Sequence, residues 1–441
     1  MSKRFALPNF LKKKPDILNL PKPGEKPNIP TMEAPVGDML ENMKKEAAEQ
    51  AAKFQKEVLE YYKMITRSNK ILLRFILAVG VIIAFLVIVF YISGRNNKMG
   101  NNVITLKKNI KDYNKFRDEN DIGSIANFDF NKSYDKVHKR PSSLKDYYIL
   151  GSYNSCCGGE VFNNWVDTNI LENTIKLGPR VLDFEIFSSN GVPIVAASLK
   201  NASSNADNAY SKDTLNHLEI PTVLESCKKA FYGINTQNAN DFLILNFRIK
   251  THNTGALNAL AENIKNAFKA SLMSSDFGNG GRKKNVVNEN IKHLNQKVII
   301  SVYDHTNIFK ETDLYKITNI CNNMEHKDMG GVEFVRNYDV QYDTDKEETI
   351  KKNKLTLKIV FPDETNENEN PPHKIHRDNG CQISLMRFNV YDSNLKEALS
   401  YFSNNGSAIV MKPDNYRYKP IILPAPKKMD PKVKKILEEN S

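Results

Sequence analysis

The chain has 441 residues, a formal net charge of +12, 40% apolar residues, 26% charged residues and five cysteines. That length allows one large domain or two ordinary ones with tails, and the composition excludes a mini-protein, a collagen and a wholly disordered chain. The dispersed cysteines exclude a disulfide scaffold. The basic balance raises nucleic acid or an anionic membrane as partners, depending on where the charges sit.

Residues 1–37 carry Pro8, Pro15, Pro21, Pro23, Pro27, Pro30 and Pro35, with three lysines at Lys12–Lys14. Such a segment holds no core and reads as a Pro-rich, basic, extended arm. From 38 to 70 the text becomes helical. Asp38 is placed to cap it, with Glu41 completing a capping box. Leu40, Met43, Ala47, Ala51, Phe54, Val58 and Tyr61 recur at three- and four-residue spacings. This thin, alanine-rich stripe fits a solvated juxtamembrane stalk, a coiled-coil seam or a face lying on a protein partner.

Phe75 to Ile92 run FILAVGVIIAFLVIVFYI without a charge. Extended by Leu72 and Leu73, the run reaches about 27–33 Å as a helix, enough to cross a bilayer core. Residues 71–93 are therefore expected to be a single transmembrane helix, with Tyr91 as an interface anchor. The run starts too far from Met1 for a cleaved signal peptide and reads as a signal-anchor. Lys and Arg are balanced on its two flanks. Residues 1–74 as a whole carry 15 Lys/Arg against 9 Asp/Glu, which favours the N-terminal side facing the cytoplasm.

Residues 94–139 read as a connecting segment. Beyond them, strand-like runs recur at Tyr147–Leu150, Arg180–Phe187, Val192–Ala197, Asp241–Phe247, Lys297–Tyr303, Leu355–Val360, Cys381–Phe388 and Ser407–Pro413. Helical stretches lie between several of them, such as Ala256–Met273 and Asn394–Asn405. Buried strands alternating with helices point to an α/β domain with a parallel sheet, and eight strands over this length suit a closed (β/α)8 barrel. The polar runs 201–214 and 361–379 read as loops or linkers.

Four blocks then become specific. DYYILGSYNSCCGG (Asp146–Gly159), GPRVLDFEIFSSNGVPIVAA (Gly178–Ala197), DFLILNFRIK (Asp241–Lys250) and GCQISLMRFNVYDSNLKEALSYFSNNGSAIVMKP (Gly380–Pro413) resemble, in order, the X and Y regions of phosphoinositide-specific phospholipase C. The resemblance covers about residues 140–418. It implies a distorted TIM barrel with an X-like half over 140–332, a strand and polar linker over 333–379, a Y-like part over 380–418, and a tail over 419–441.

Members of that family cleave phosphoinositides with two histidines and a calcium ion held by hard oxygen ligands. Carried over position by position, the first histidine falls on Tyr153, and Asn154 beside it retains the calcium-ligating asparagine. The paired acids fall on Asp183 and Glu185, two apart on one strand and so on one face. The second histidine falls on Ala197, which transfers no proton. The third acidic ligand falls on Arg248, a permanent cation. The substrate lysines fall near Ser301 and Tyr303. The resemblance thus implies a pseudoenzyme with a degenerate site at Asn154, Asp183, Glu185 and Arg248. Arg248 is expected to pair with the two acids where calcium would lie, leaving no catalytic residue and calcium only if Asn154, Asp183 and Glu185 still bind it.

Other features are weighed beside this. A rearranged phosphodiesterase needs His252 or His305 to enter the barrel mouth. His373 and His376 have a metal-like spacing but lie in a polar run, and read as a solvated loop. Cys156 and Cys157 read as small buried residues at a strand end. No nucleic-acid-binding signature is present. The expectation is a membrane-anchored binding or structural module with the bilayer and proteins as partners, the latter at the arm and barrel surface. The Lys- and Asn-rich text extends this to a viral protein linking an internal virion membrane to the capsid.

Overall fold

The computed structural model describes residues 36–66, 70–119, 125–199, 211–233, 238–278, 284–305, 307–322, 331–364 and 369–420. The Pro-rich arm, most of the polar run 201–214 and the end of the C-terminal tail lie outside the described residues. The chain divides into two compact units, Met1–Val89 and Phe90–Ser441.

In the first unit, α1 (Val36–Thr66) is a single helix rich in Ala, Glu and Lys, all strong helix formers. It begins two residues ahead of Asp38, so Asp38 lies within its first turn and is not the N-cap expected from the sequence. A second helix, α2 (Lys70–Glu119), starts in this unit and ends in the next. It holds the whole apolar run, whose side chains from Phe75 to Ile92 are exposed. Among the described residues, α2 is the one helix long and apolar enough to cross a membrane. The helix continues through the first half of the expected connecting segment.

Among the described residues, the second unit is built on a sheet of eleven strands. Eight of them follow one another in parallel order among the described residues: β1 (Tyr147–Ser152), β2 (Val181–Ser189), β3 (Leu243–Ile249), β4 (Val298–Tyr303), β5 (Ile320–Cys321), β6 (Val332–Arg336), β7 (Leu357–Phe361) and β8 (Ile383–Met386). β8 pairs back onto β1, which nearly closes a TIM-like barrel; among the described residues no pairing joins β5 to β6. The helices α3 (Thr168–Lys176), α4 (Ile220–Tyr232) and α5 (Thr254–Phe268) cover the outside of the first half. After β6 come α6 (Asn337–Gln341) and α7 (Lys346–Asn353), and α8 (His373–Asp378) and α9 (Ser393–Asn404) flank β8 in sequence.

Two of the eight runs expected as barrel strands have another role. Val192–Ala196 returns antiparallel along β2, and Ile409–Met411 runs antiparallel on β1. Two barrel strands, β5 and β6, come from text that does not read as strand. The segment His373–Asp378, expected as a solvated loop, is a helical turn with both histidines buried. His376 Nδ1 lies 2.9 Å from Ser384 Oγ, and its Nε2 lies 2.9 Å from Asn337 Oδ1. Burial, reinforced by His373, pushes its pKa down to about 3, so it is a neutral core residue.

Strands buried on both sides read as near-continuous apolar runs, and β2, β3 and β4 follow this except at inward positions toward their C-terminal ends. Outward residues such as Leu182, Phe184, Leu245, Phe247 and Ile300 form one core beneath the helices. Inward residues such as Ile149, Val181, Ile244, Ile299, Ile359 and Ile383 form a second core inside the barrel. Following the inward positions up β2, β3 and β4, the interior changes from Val181, Ile244 and Ile299 to Asp183, Asn246 and Ser301. One pleat further stand Glu185, Arg248 and Tyr303. The interior therefore becomes polar at the strands' C-terminal ends, the face where barrel enzymes carry their sites.

Candidate functional site

Register decides the geometry of the mouth. Asp183 is paired with Asn246 and Glu185 with Arg248 across two parallel strands, so all four side chains point into the barrel. Asp183, Glu185 and Arg248 are buried, each about 1% exposed or less. The Arg248 Nε donates to Asp183 Oδ1 at 3.0 Å and Oδ2 at 3.1 Å. Its Nη2 donates to Asp183 Oδ2 at 2.9 Å and also to Asn154 Oδ1, and its Nη1 donates to Glu185 Oε1 at 2.6 Å. One guanidinium thus engages three of the four residues that the resemblance assigns to the calcium site, counting itself as the fourth. Burial alone would lower its pKa, but the attraction of Asp183, Tyr153 and Glu185 outweighs this and holds it well above the ordinary arginine value.

Further donors complete the carboxylates. Asn154 adopts a left-handed backbone (φ 43°), tolerated by asparagine, and its N–H donates to Asp183 Oδ2 at 3.1 Å. Asn246 Nδ2 donates to Asp183 Oδ1 at 2.7 Å, and Asn246 Oδ1 accepts in turn from Ser301 Oγ at 2.7 Å. Ser198 donates to Glu185 Oε2 through its N–H (2.6 Å) and its hydroxyl (2.9 Å). This is the satisfied network that buried charges require.

Tyr153 lies over the guanidinium, its ring centre 4.3 Å from Arg248 Cζ. Phe361, Tyr303 and Phe334 pack beside it, with ring centres 5.1–6.2 Å apart. Burial, despite the nearby Arg248, pushes the Tyr153 phenol up to about 12, so it stays protonated. Ala197 is buried at the end of the antiparallel return, its carbonyl accepting from Asp213 N–H at 2.9 Å. The cleft lined by Tyr153, Asn154, Ser198, Glu364, Arg387 and Asn389 encloses about 20 Å³, room for one or two waters.

The structure brings Tyr153, Asn154, Asp183, Glu185 and Arg248 into one cluster. Ser301 lies in the Asn246 relay, and Tyr303 joins the aromatic group. His252 and His305 both follow strand ends on the mouth side. His305 lies with its ring centre 4.7 Å from that of Tyr303, and partial burial, Lys250 and Arg336 lower its pKa. Cys156 and Cys157 are buried, as are the other three cysteines. Sequence reasoning missed Ser198, Asn246 and Lys250. Asn246 precedes Arg248 by two on the same strand, a signal that was available. Lys250 is buried at the rim, and desolvation depresses its pKa to about 8 against the pull of Glu185. Among the described residues, no group of three or more His, Cys, Asp or Glu is gathered as a metal cluster.

No family model matches this chain, and no curated protein matches it. Among solved structures it is distantly similar to PLC21 of L. pealei, with 17% identity and a TM-score of 0.49 over 63% of this chain and 38% of that one. It is similar to PLC21 of S. officinalis with 16% identity and a TM-score of 0.48, over 64% and 38% of the two chains. The calcium-dependent phosphoinositol-specific phospholipase C of a Gram-negative bacterium, Pseudomonas sp., gives 12% identity and a TM-score of 0.37 over 63% and 98%. The matched region thus spans 38% of the length of the L. pealei and S. officinalis chains.

Proposed function

We propose that this chain is a membrane-anchored, phospholipase C-like barrel that does not cleave lipid and acts as a structural or binding module. The observation that carries the reading is the Arg248 guanidinium bonded to Asp183, Glu185 and Asn154. Those three residues offer the hard oxygen ligands that suit calcium. With Arg248 among them they do not fit it. A divalent cation about 4 Å from a fixed positive charge meets roughly 8 kcal/mol of repulsion at an effective dielectric of about 20. The same oxygens are already accepting from the guanidinium.

The missing histidines support the same conclusion. A general acid or base typically contributes about 10²–10⁴-fold to a rate; Ala197 carries no ionisable group, and Tyr153, protonated at neutral pH, offers no base. Lys250, Arg336 and Arg387 near the mouth favour a second reading, capture of a phosphorylated headgroup without cleavage. Arg387 already donates to the carbonyls of Glu369 and Asp363, and Arg336 to Glu364, which makes the scaffold reading the stronger. The extension to a link between an internal virion membrane and capsid proteins rests on composition, and is tested by the neighbours of the chain in its native membrane.

The test is release of inositol phosphate from phosphatidylinositol bisphosphate vesicles by the full chain with added calcium. No release above the protein-free control is expected. Clear calcium-dependent turnover would overturn the reading, and tight vesicle binding specific to the phosphorylated headgroup, without turnover, would select the second.

A further inference from the structure

The apolar stripe of α1 is laid out as a seam. Leu40, Met43, Ala47, Ala51, Phe54, Val58, Tyr61 and Ile65 advance by three or four residues at each step. At about 100° per residue they fall within an arc of about 80° on the helix. The steps cover about three and a half heptads, the length at which such a repeat specifies a coiled coil. Only the step from Ala47 to Ala51 departs from strict alternation. It is a four-residue stutter, which unwinds a coiled coil locally without ending it. Every residue from Lys44 to Glu60 is exposed, with Phe54 at 70% and Val58 at 50%. A single bared apolar side chain is ordinary, but a row of them along one helix face marks a contact surface.

Charge narrows what that surface meets. Asp38, Lys45, Glu49, Lys56, Glu60 and Lys63 stand on the side of α1 opposite the stripe. Glu41 with Lys45 and Glu49 with Lys53 are four apart with the acid first, a spacing that balances charge within one helix. The whole of α1 holds five lysines against six carboxylates, a net charge of −1. An interfacial helix drawn to anionic lipid carries the opposite bias. A parallel, in-register pair of α1 helices, by contrast, meets no like charges beside the seam. The flanking positions brought together are Met39 with Lys44, Gln50 with Gln55, and Glu57 with Tyr62.

The neighbouring segment favours a second copy. α1 ends at Thr66, and the apolar run begins at Phe75. Chains inserted by the same span share one plane and one orientation. Their α1 helices therefore run the same way and meet at a raised local concentration. Ala47 and Ala51 give the middle of the seam little apolar area, so two free α1 helices pair weakly and the shared bilayer supplies the difference.

We infer that α1 pairs with α1 of a second copy of this chain as a parallel two-stranded coiled coil, with Phe54 and Val58 at its seam. The inference rests on the reading of α2 as a membrane-spanning helix. It makes the chain a bivalent module, whose avidity for a partner rises without any new contact.

The five native cysteines are buried, so a thiol placed on α1 is the accessible one. The full chain carrying Val58→Cys, on the seam, or Lys56→Cys, on the opposite side, is reconstituted into phosphatidylcholine vesicles and treated with a short bis-maleimide. Val58→Cys should yield a covalent dimer several-fold faster than Lys56→Cys. Adding Phe54→Lys, which sets lysine against lysine on the seam, should remove most of the Val58→Cys dimer. Phe54 is exposed, so this change leaves the fold of the single chain in place. Equal rates at the two positions, no dimer from an incorporated Val58→Cys chain, or a dimer indifferent to Phe54→Lys would overturn the inference and leave the spanning reading standing. A chain that fails to incorporate would overturn both.

Discussion

Replacing Arg248 by methionine removes the guanidinium and keeps most of its apolar stem. Asp183 and Glu185 would remain at the mouth, both buried, two residues apart on one strand face. They lose every bond that Arg248 gives them, at 2.6–3.1 Å. They keep Asn154 N–H, Asn246 and Ser198. Removing one partner of a buried ion pair costs about 3–5 kcal/mol, because the surviving charge is left in a poor dielectric. Loss of the stacking on Tyr153 adds to this. At about 2–4 °C per kcal/mol for a domain of 150–250 residues, the melting midpoint should fall by roughly 6–20 °C. Thermal unfolding of the full chain at pH 7 measures it. Adding Asp183→Asn and Glu185→Gln to Arg248→Met should recover much of the loss, since no uncompensated charge then remains. Arg248→Asp is the complementary test, replacing a cation by a third carboxylate. Calcium at 100 times its dissociation constant would stabilise that variant by about 2.7 kcal/mol and should leave the wild type unmoved. A loss below about 1 kcal/mol in Arg248→Met, outside the range for a broken buried pair, or a wild type whose midpoint rises with calcium, would refute the reasoning.

Two further perturbations probe the barrel itself. His376 is neutral when folded, with a pKa near 3, but its ordinary value is 6.5. The unfolded chain therefore binds a proton that the folded chain refuses, and stability falls as pH drops from 6.5 toward 3. The loss reaches about 5 kcal/mol at 1.36 kcal/mol per unit. Denaturation midpoints across that window should slope less steeply in His376→Gln, and an unchanged slope would exclude His376 as the source. Gly151 faces inward on β1, where an added Cβ would meet Leu385 Cδ2 at 2.5 Å, Val181 Cβ at 3.2 Å and the Ser384 carbonyl at 3.3 Å. Gly151→Ala should cost about 1–3 kcal/mol in a denaturant titration, and a neutral effect would mean the barrel relaxes there.

The barrel strands that sequence reading located are those buried on both faces. Arg180–Phe187, Asp241–Phe247 and Lys297–Tyr303 are mostly apolar because helices cover one side and the barrel core the other. The ones it missed lack that signature. β5 is two residues long, and β6 is mostly half-buried, so neither produces a run. Val192–Ala196 and Ile409–Met411 mislead for the opposite reason. They are apolar because they pack, yet they pack antiparallel, and periodicity does not distinguish a barrel strand from a return strand. His373 and His376 mislead through their neighbours, since a polar surrounding text conceals two side chains turned inward.

The sequence by itself determined that one apolar run is long enough to span a bilayer, that the remainder alternates strand and helix, and that Asp183 and Glu185 share a face. Each is a local property: a run length, a period, a two-residue spacing. Tertiary structure alone decided that Glu185 stands beside Arg248 across a parallel pair, that Ser198 and Asn246 complete the carboxylates, and that Trp165 grips α2 seventy residues away in the chain. These depend on strand register and on close backbone approach at Gly158 and Gly159. Both are set by the packing of distant segments, and no local pattern encodes them.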